Sequence, residues 1–260
     1  MQKTTIQNRK RQNLVVAIEQ AESQRGLAFV MHGLGGYRDA PHIQTFAKAF
    51  YDKGFTVVRF DTANTFGESD GNYEDATTTN YYEDLEDVIA WAGSQLWYRE
   101  PFALTGHSLG GICTALYAEK HPEKVLALAP ISTVVSGHLS VEAYKRFEPG
   151  KLEDWQKTGW QTRMSASRPG VTKKLRWSHM EDRLRYDLLP HANKLTMPVL
   201  LLVGERDEAT PPGHVKILFD ALPGSKEMHV VKDAPHTFRD PGHLQQIEMI
   251  FSLWIDSWLR

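Results

Sequence analysis

The sequence predicts an α/β protein: a mainly parallel central sheet flanked by helices on both faces, with one helical insertion late in the chain. Three observations carry this expectation. Short apolar, partly β-branched runs alternate with segments whose apolar residues recur at helical spacing. A glycine-bounded turn joins one such run directly to a helix. A single stretch, residues 131–190, breaks the alternation, after which strand-like runs resume at once.

Leu14 to Ile18, Leu27 to Met31 and Phe55 to Phe60 read as three strands that open the chain, each bounded by polar or glycine-containing segments. Between the last two, Ile43, Phe46, Ala47 and Phe50 have the spacing of one helix face, and Gly54 marks its end. The pattern repeats: a helix over Tyr81 to Trp97, a strand from Phe102 to Thr105, a helix from Gly111 to Lys120 and a strand from Val125 to Ala129. Val199 to Val203 and Glu227 to Val231 supply two further strands. A closing helix, Gln245 to Leu259, places Ile247, Ile250, Phe251, Trp254 and Trp258 on one face.

Composition narrows the function classes. With 41% hydrophobic and 24% charged residues the chain is globular rather than disordered, and 260 residues are ample for a substantial core. A formal net charge of −2 offers no field toward nucleic acid or acidic lipid, so a small molecule is the expected partner. The N-terminus has basic residues with no apolar stretch behind them, and no apolar run is long enough to span a bilayer. The lone cysteine, Cys113, can form no internal disulfide and reads as a small core residue. These features predict a cytoplasmic protein with no membrane or nucleic-acid partner, and a homodimer is as compatible with them as a monomer.

The chemistry lies in the turns. Gly106-His107-Ser108-Leu109-Gly110-Gly111 fits G-x-S-x-G between a strand and a helix, the context in which a serine is held in a strained turn above the sheet edge. Small residues two before and two after it let strand and helix approach closely. The helix N-terminus and the Leu109 N–H favour negative charge next to that serine. His32-Gly33-Leu34-Gly35-Gly36 follows a strand directly, and the Leu34 N–H would be a second oxyanion donor; His32 reads as a loop-fixing residue. A serine hydroxyl needs a base, and the base a carboxylate. Asp207, in GERDEATPP, and His236, in APHTF, each follow a strand, in the order Ser, Asp, His that this arrangement demands. Glu205, Glu208 and Asp233 are alternative acids, and His229 and His243 alternative bases. A strand position for His229 and a helix-entry position for His243 suit packing or solvent contact better. No histidine spacing suggests a metal site, and the chemistry requires no cofactor.

These motifs, together with Phe60-Asp61 and Gly67-Glu68-Ser69-Asp70-Gly71, give the chain its resemblance to the α/β-hydrolase fold, over almost its whole length. It resembles in particular the cinnamoyl (feruloyl) esterase and monoacylglycerol-lipase-like branches. Thr62 to Phe66 departs from the Arg-Gly-His-Gly type of turn those branches carry. The resemblance implies a core formed by residues 1–130 and 191–260, a lid over 131–190, and a serine carboxylesterase acting on small or aromatic acyl esters. An acyl thioesterase, or a small-molecule receptor on the same fold, is the alternative. The lid would bring Trp155, Trp160 and Trp177 to an acyl pocket, with packing of the insertion as the competing reading. The insertion carries 11 Lys or Arg against 7 Asp or Glu, an excess whose default reading is a solvated face, with steering of an anionic substrate as the alternative.

Overall fold

The computed structural model describes residues 1–164, 170 and 172–259. Ten strands and eight α-helices are described: β1 (Gln2–Gln7), β2 (Asn13–Glu19), β3 (Gly26–Met31), α1 (Pro41–Tyr51), β4 (Phe55–Phe60), α2 (Thr78–Ala92), β5 (Phe102–His107), α3 (Leu109–Lys120), β6 (Val125–Ile131), α4 (Gly137–Phe147), α5 (Lys151–Thr158), β7 (Trp160–Met164), β8 (Thr172–Arg176), α6 (Ser178–Arg183), β9 (Val199–Gly204), α7 (Pro212–Ala221), β10 (Lys226–Val231) and α8 (Pro241–Trp258). Eight strands form one sheet in the order β1-β2-β4-β3-β5-β6-β9-β10. Only β1–β2 and β2–β4 pair antiparallel; the other neighbours are parallel.

β3, β4, β5 and β9 are buried at every position because both sheet faces are covered. Leu27, Phe29 and Met31 of β3 belong to the core on the sheet face that α2, α3 and α7 cover, while Ala28 and Val30 belong to the core on the face that α1 and α8 cover. On the second face Phe46 of α1 stacks on Phe251 of α8 at 5.0 Å, and Phe50 meets Trp254 edge to face. None of the helices among the described residues is long and apolar enough to cross a membrane.

Four local expectations need correction. The chain opens with β1, an edge strand in which only Ile6 is buried, so its apolar signal is too weak to read. Helix α2 ends at Ala92 rather than at Trp97, whose ring instead sits edge to face with Trp91 at 5.9 Å. Helix α7 fills a stretch without predicted structure, burying only Val215 and Leu218. The insertion is not purely helical, because β7 and β8 form an antiparallel hairpin within it. Its ends meet where Ser136 bridges Asp187, with Gly137 N–H donating to the Tyr186 carbonyl at 2.9 Å and Leu188 N–H to Val135 at 3.0 Å. A Cβ at Gly137 would lie 2.4 Å from the Arg183 carbonyl oxygen, so glycine is required for that closure.

One buried acid in α3 acts against stability. Glu119 is buried, Oε1 has no hydrogen-bond partner among the described residues, and burial pushes its pKa up to about 8. A carboxyl whose folded pKa lies above its unfolded value destabilises once pH exceeds the unfolded value, with the full cost above the folded one. Glu119→Gln should therefore raise Tm at pH 9 by roughly 5 °C, about 2 kcal/mol. The gain should fade as pH falls through 8 and vanish near 4.5, the ordinary glutamate value, in thermal melts across that range.

Candidate active site

Ser108 stands between β5 and α3 with φ 56° and ψ −113°, a backbone conformation that L-residues rarely adopt. Its surroundings enforce this. A Cβ at Gly106 would lie 2.2 Å from the Gly110 carbonyl oxygen, and one at Gly110 would lie 2.4 Å from that of His32. Strand, helix and the loop after β3 are thus in backbone contact around the serine, whose N–H donates to Ile131 at 2.9 Å. The side chain is left partly exposed.

The loop after β3 is a tight turn in which Gly36 N–H donates to the Gly33 carbonyl at 2.9 Å and Gly35 takes φ +64°. His32 fixes it from behind: Nδ1–H donates to the Gly33 carbonyl at 2.8 Å, and Nε2 accepts from Thr62 N–H at 3.1 Å. That is the loop-fixing role read from the sequence. The motif Phe60-Asp61 with Gly67-Glu68-Ser69 forms a second clamp. Buried Asp61 accepts from the Arg38 N–H at 2.7 Å and the Glu68 N–H at 2.9 Å and pairs with the Arg38 guanidinium. A Cβ at Gly67 would sit 2.2 Å from the Asp61 carboxyl carbon.

Asp207 and His236 follow β9 and β10 and converge on the serine. His236 Nε2 lies 2.9 Å from Ser108 Oγ, and His236 Nδ1 lies 2.8 Å from Asp207 Oδ2. Asp207 is buried, yet its Oδ1 accepts from the N–H groups of Ala209 at 3.0 Å and Thr210 at 2.8 Å. Burial alone would raise its pKa; His236 and the Thr210 hydrogen bonds outweigh that and hold the carboxyl below its ordinary value. Thr210 Oγ1 lies 2.8 Å from Asp207 Oδ2 and 2.9 Å from the Ser132 carbonyl, and its single proton serves one of them at a time. The alternative acids and bases stand elsewhere. Glu205 accepts from the Asp233 N–H at 2.9 Å, Asp233 pairs with Arg206, His229 lies 3.1 Å from Glu227 on β10, and His243 is in α8.

Leu34, partly buried, and Leu109, fully buried, flank Ser108, and no hydrogen bond among the described residues takes up either backbone N–H. Leu109 opens α3, so its N–H is one of the unpaired donors of a helix start. A cavity of about 350 Å³ opens here, lined among others by Leu34, Tyr37, His42, Ser108, His236 and Arg239.

Two histidines that sequence reasoning passed over shape this site. His107 Nε2–H donates to the His236 carbonyl at 2.8 Å and thereby ties the loop after β10 to β5. The rings of His42, His107 and His236 form a row, with centroids 4.5 Å and 4.9 Å apart. Burial, reinforced by the neighbouring imidazoles, pushes His107 down to about 3 and His42 well below the ordinary histidine value. Both are neutral at physiological pH, so they add no positive charge behind His236.

The three tryptophans of the insertion do not line this cavity. Trp155 is the buried centre of the insertion: its Nε1–H donates to the Leu175 carbonyl at 3.1 Å, and its ring meets Trp177 edge to face at 5.5 Å. Trp160 faces outward beneath the Arg176 guanidinium, 4.7 Å from its ring. What the insertion brings to the cavity instead is Lys173 of β8.

Comparison with known proteins sets this geometry in a family. The model of the family described as serine aminopeptidase, S33 (Hydrolase_4), matches residues 22–240. The chain belongs to this family. It is thus a hydrolase of a serine-hydrolase family, with the α/β-hydrolase fold that the motifs imply. It is 27% identical over 251 residues to an Escherichia coli 31.7 kDa protein from the traX-finO intergenic region, across 86% of this chain and 87% of that one. It is also 27% identical over 223 residues to the Bos taurus palmitoyl-protein thioesterase ABHD10, mitochondrial, across 83% of this chain and 67% of that one. Among solved structures, Est1E from Butyrivibrio proteoclasticus with bound ferulic acid superposes with a TM-score of 0.80 at 19% identity, across 98% of both chains.

Proposed function

We propose that the chain is a serine carboxylic-ester hydrolase that acts through an acyl-enzyme on small or aromatic acyl esters, with residues 131–190 serving as a lid. The observation that carries this reading is the hydrogen-bonded line from Ser108 through His236 to Asp207 at the wall of the cavity. His236 Nε2 takes the serine proton as Oγ attacks the carbonyl carbon, and the N–H groups of Leu34 and Leu109 receive the oxyanion. The imidazolium returns the proton to the leaving alcohol, and a water activated by the same nitrogen releases the acid. Asp207 keeps the His236 proton on Nδ1 and supports the charge that forms on the ring.

The peptidase named in the family description fits the cavity less well. An aminopeptidase must hold the substrate's terminal ammonium, which calls for a carboxylate; among the described residues none lines the cavity, whereas Lys173 and Arg239 do. An acyl thioesterase is the second reading, favoured by the likeness to palmitoyl-protein thioesterase ABHD10.

A panel of 4-nitrophenyl acetate and butyrate, methyl ferulate, short and long acyl-CoA thioesters and aminoacyl 4-nitroanilides tests the assignment. Turnover of the oxygen esters, with a transient acyl adduct on Ser108 seen by mass spectrometry, is expected. Turnover of the thioesters alone would move the assignment to the second reading, and turnover of the anilides alone would overturn both.

A further inference from the structure

Lys173 stands at the cavity wall among the residues that line it. It comes from the insertion, yet its Nζ reaches the turn after β3, where a Cβ built on Gly35 would lie 3.3 Å from it, one residue from the Leu34 N–H. The ammonium rests on two aromatic rings, 5.4 Å from the centroid of Phe66 and 5.5 Å from that of Tyr73, which themselves stack at 4.7 Å. The insertion is anchored so that the lysine stays there. Thr79 N–H donates to Asp182 at 2.9 Å, His179 Nδ1–H to the Ala76 carbonyl at 2.8 Å, and Arg176 to Asp75 at 2.9 Å.

No ion pair among the described residues neutralises Lys173. It is half-buried, and burial, reinforced by the cations Arg239 and Arg163, lowers its pKa. A cation held near another, with no carboxylate on the cavity wall, costs free energy unless a ligand supplies the counter-charge.

We infer that Lys173 selects substrates carrying an anionic group, a carboxylate or a phosphate, close to the scissile acyl bond. The inference rests on the hydrolase reading of Ser108 and narrows it to anionic esters or thioesters. Lys173 supplies the compact charge, Phe66 and Tyr73 hold the ammonium in place, and Arg239 adds to the local positive potential. The net positive charge of the insertion extends the same potential to the approaching substrate.

Two pairs of probes test this. 4-Nitrophenyl hydrogen adipate against 4-nitrophenyl hexanoate places a carboxylate on the acyl side; 4-acetoxyphenyl phosphate against 4-acetoxyanisole places a phosphate on the alcohol side. In at least one pair the ratio of kcat/KM, anionic over neutral, should fall about tenfold in Lys173→Gln and be kept in Lys173→Arg, as for loss of one desolvated charge contact. Equal ratios in all three proteins for both pairs would overturn the inference while leaving the esterase intact. If no ester is turned over, the hydrolase reading fails by itself, and calorimetry of adipate and phenyl phosphate with Ser108→Ala decides the remainder. Binding abolished by adding Lys173→Gln supports anion selection, whereas binding unchanged by it, or none in either protein, overturns it.

Discussion

Ser108→Ala should lower kcat/KM on 4-nitrophenyl butyrate by roughly 10⁴-fold or more while Tm stays within about 2 °C of the parent. The two halves of this expectation have different causes. Oγ is the atom that bonds to the acyl carbon, so no neighbouring group can replace it; its one hydrogen bond among the described residues is to His236 Nε2, at 2.9 Å. The elbow itself is held by backbone contacts that alanine keeps: Ser108 N–H to Ile131 at 2.9 Å and the close approach of Gly106 to Gly110. Groups that act as a unit are non-additive, so Ser108→Ala combined with His236→Ala should be no slower than Ser108→Ala alone. Residual activity within a few-fold of the parent in either protein would remove Ser108 from the reaction.

The parts of this fold that were legible in the sequence are those whose burial is two-sided. β3, β4, β5 and β9 are buried at every position; β3 and β9 read as unbroken apolar runs and β4 and β5 as mainly apolar ones. β7 and β8 are mostly exposed, with Leu175 the one buried side chain of the pair among the described residues, so neither carries an apolar period that marks a strand. The same reason hides β1 and α7. Pairing within a hairpin, not an apolar period, makes β1, β7 and β8 strands.

Within the candidate site, Ser108, Asp207 and His236 were legible because each sits in a turn of distinctive composition directly after a strand. His42, His107, Lys173 and Arg239 were not, since nothing in their local sequence says which turn they will face. His107 lies inside the motif that flags Ser108, but its bond to the His236 carbonyl joins residues 129 positions apart. The tryptophans show the reverse failure. Their residue type suggests an acyl pocket, whereas Trp155 and Trp177 pack together inside the insertion and Trp160 faces outward.

Asp207→Asn should cost nearly as much activity as loss of the serine, about 10⁴-fold in kcat, although the substitution changes hardly any volume. The argument is one of proton placement. Oδ1 of Asp207 accepts two backbone donors, the N–H groups of Ala209 and Thr210 at 3.0 and 2.8 Å, so the asparagine oxygen must remain on that side. Its NH2 group then faces His236 Nδ1, where Oδ2 stood 2.8 Å away. Two donors cannot share that contact, so the imidazole proton moves to Nε2 and the nitrogen facing Ser108 Oγ becomes a donor that cannot accept the serine proton. Thr210 accommodates the change by turning its hydroxyl proton to the Ser132 carbonyl, 2.9 Å away, and the fold keeps its hydrogen bonds. The loss should thus appear in kcat with little change in Tm, and should lessen above the pH at which hydroxide takes over as base. The imidazole Nε2–H resonance, observed by NMR at low temperature, gives an independent reading. An unchanged Nδ1–H tautomer together with kcat within tenfold of the parent would show that Asp207 does not orient the base.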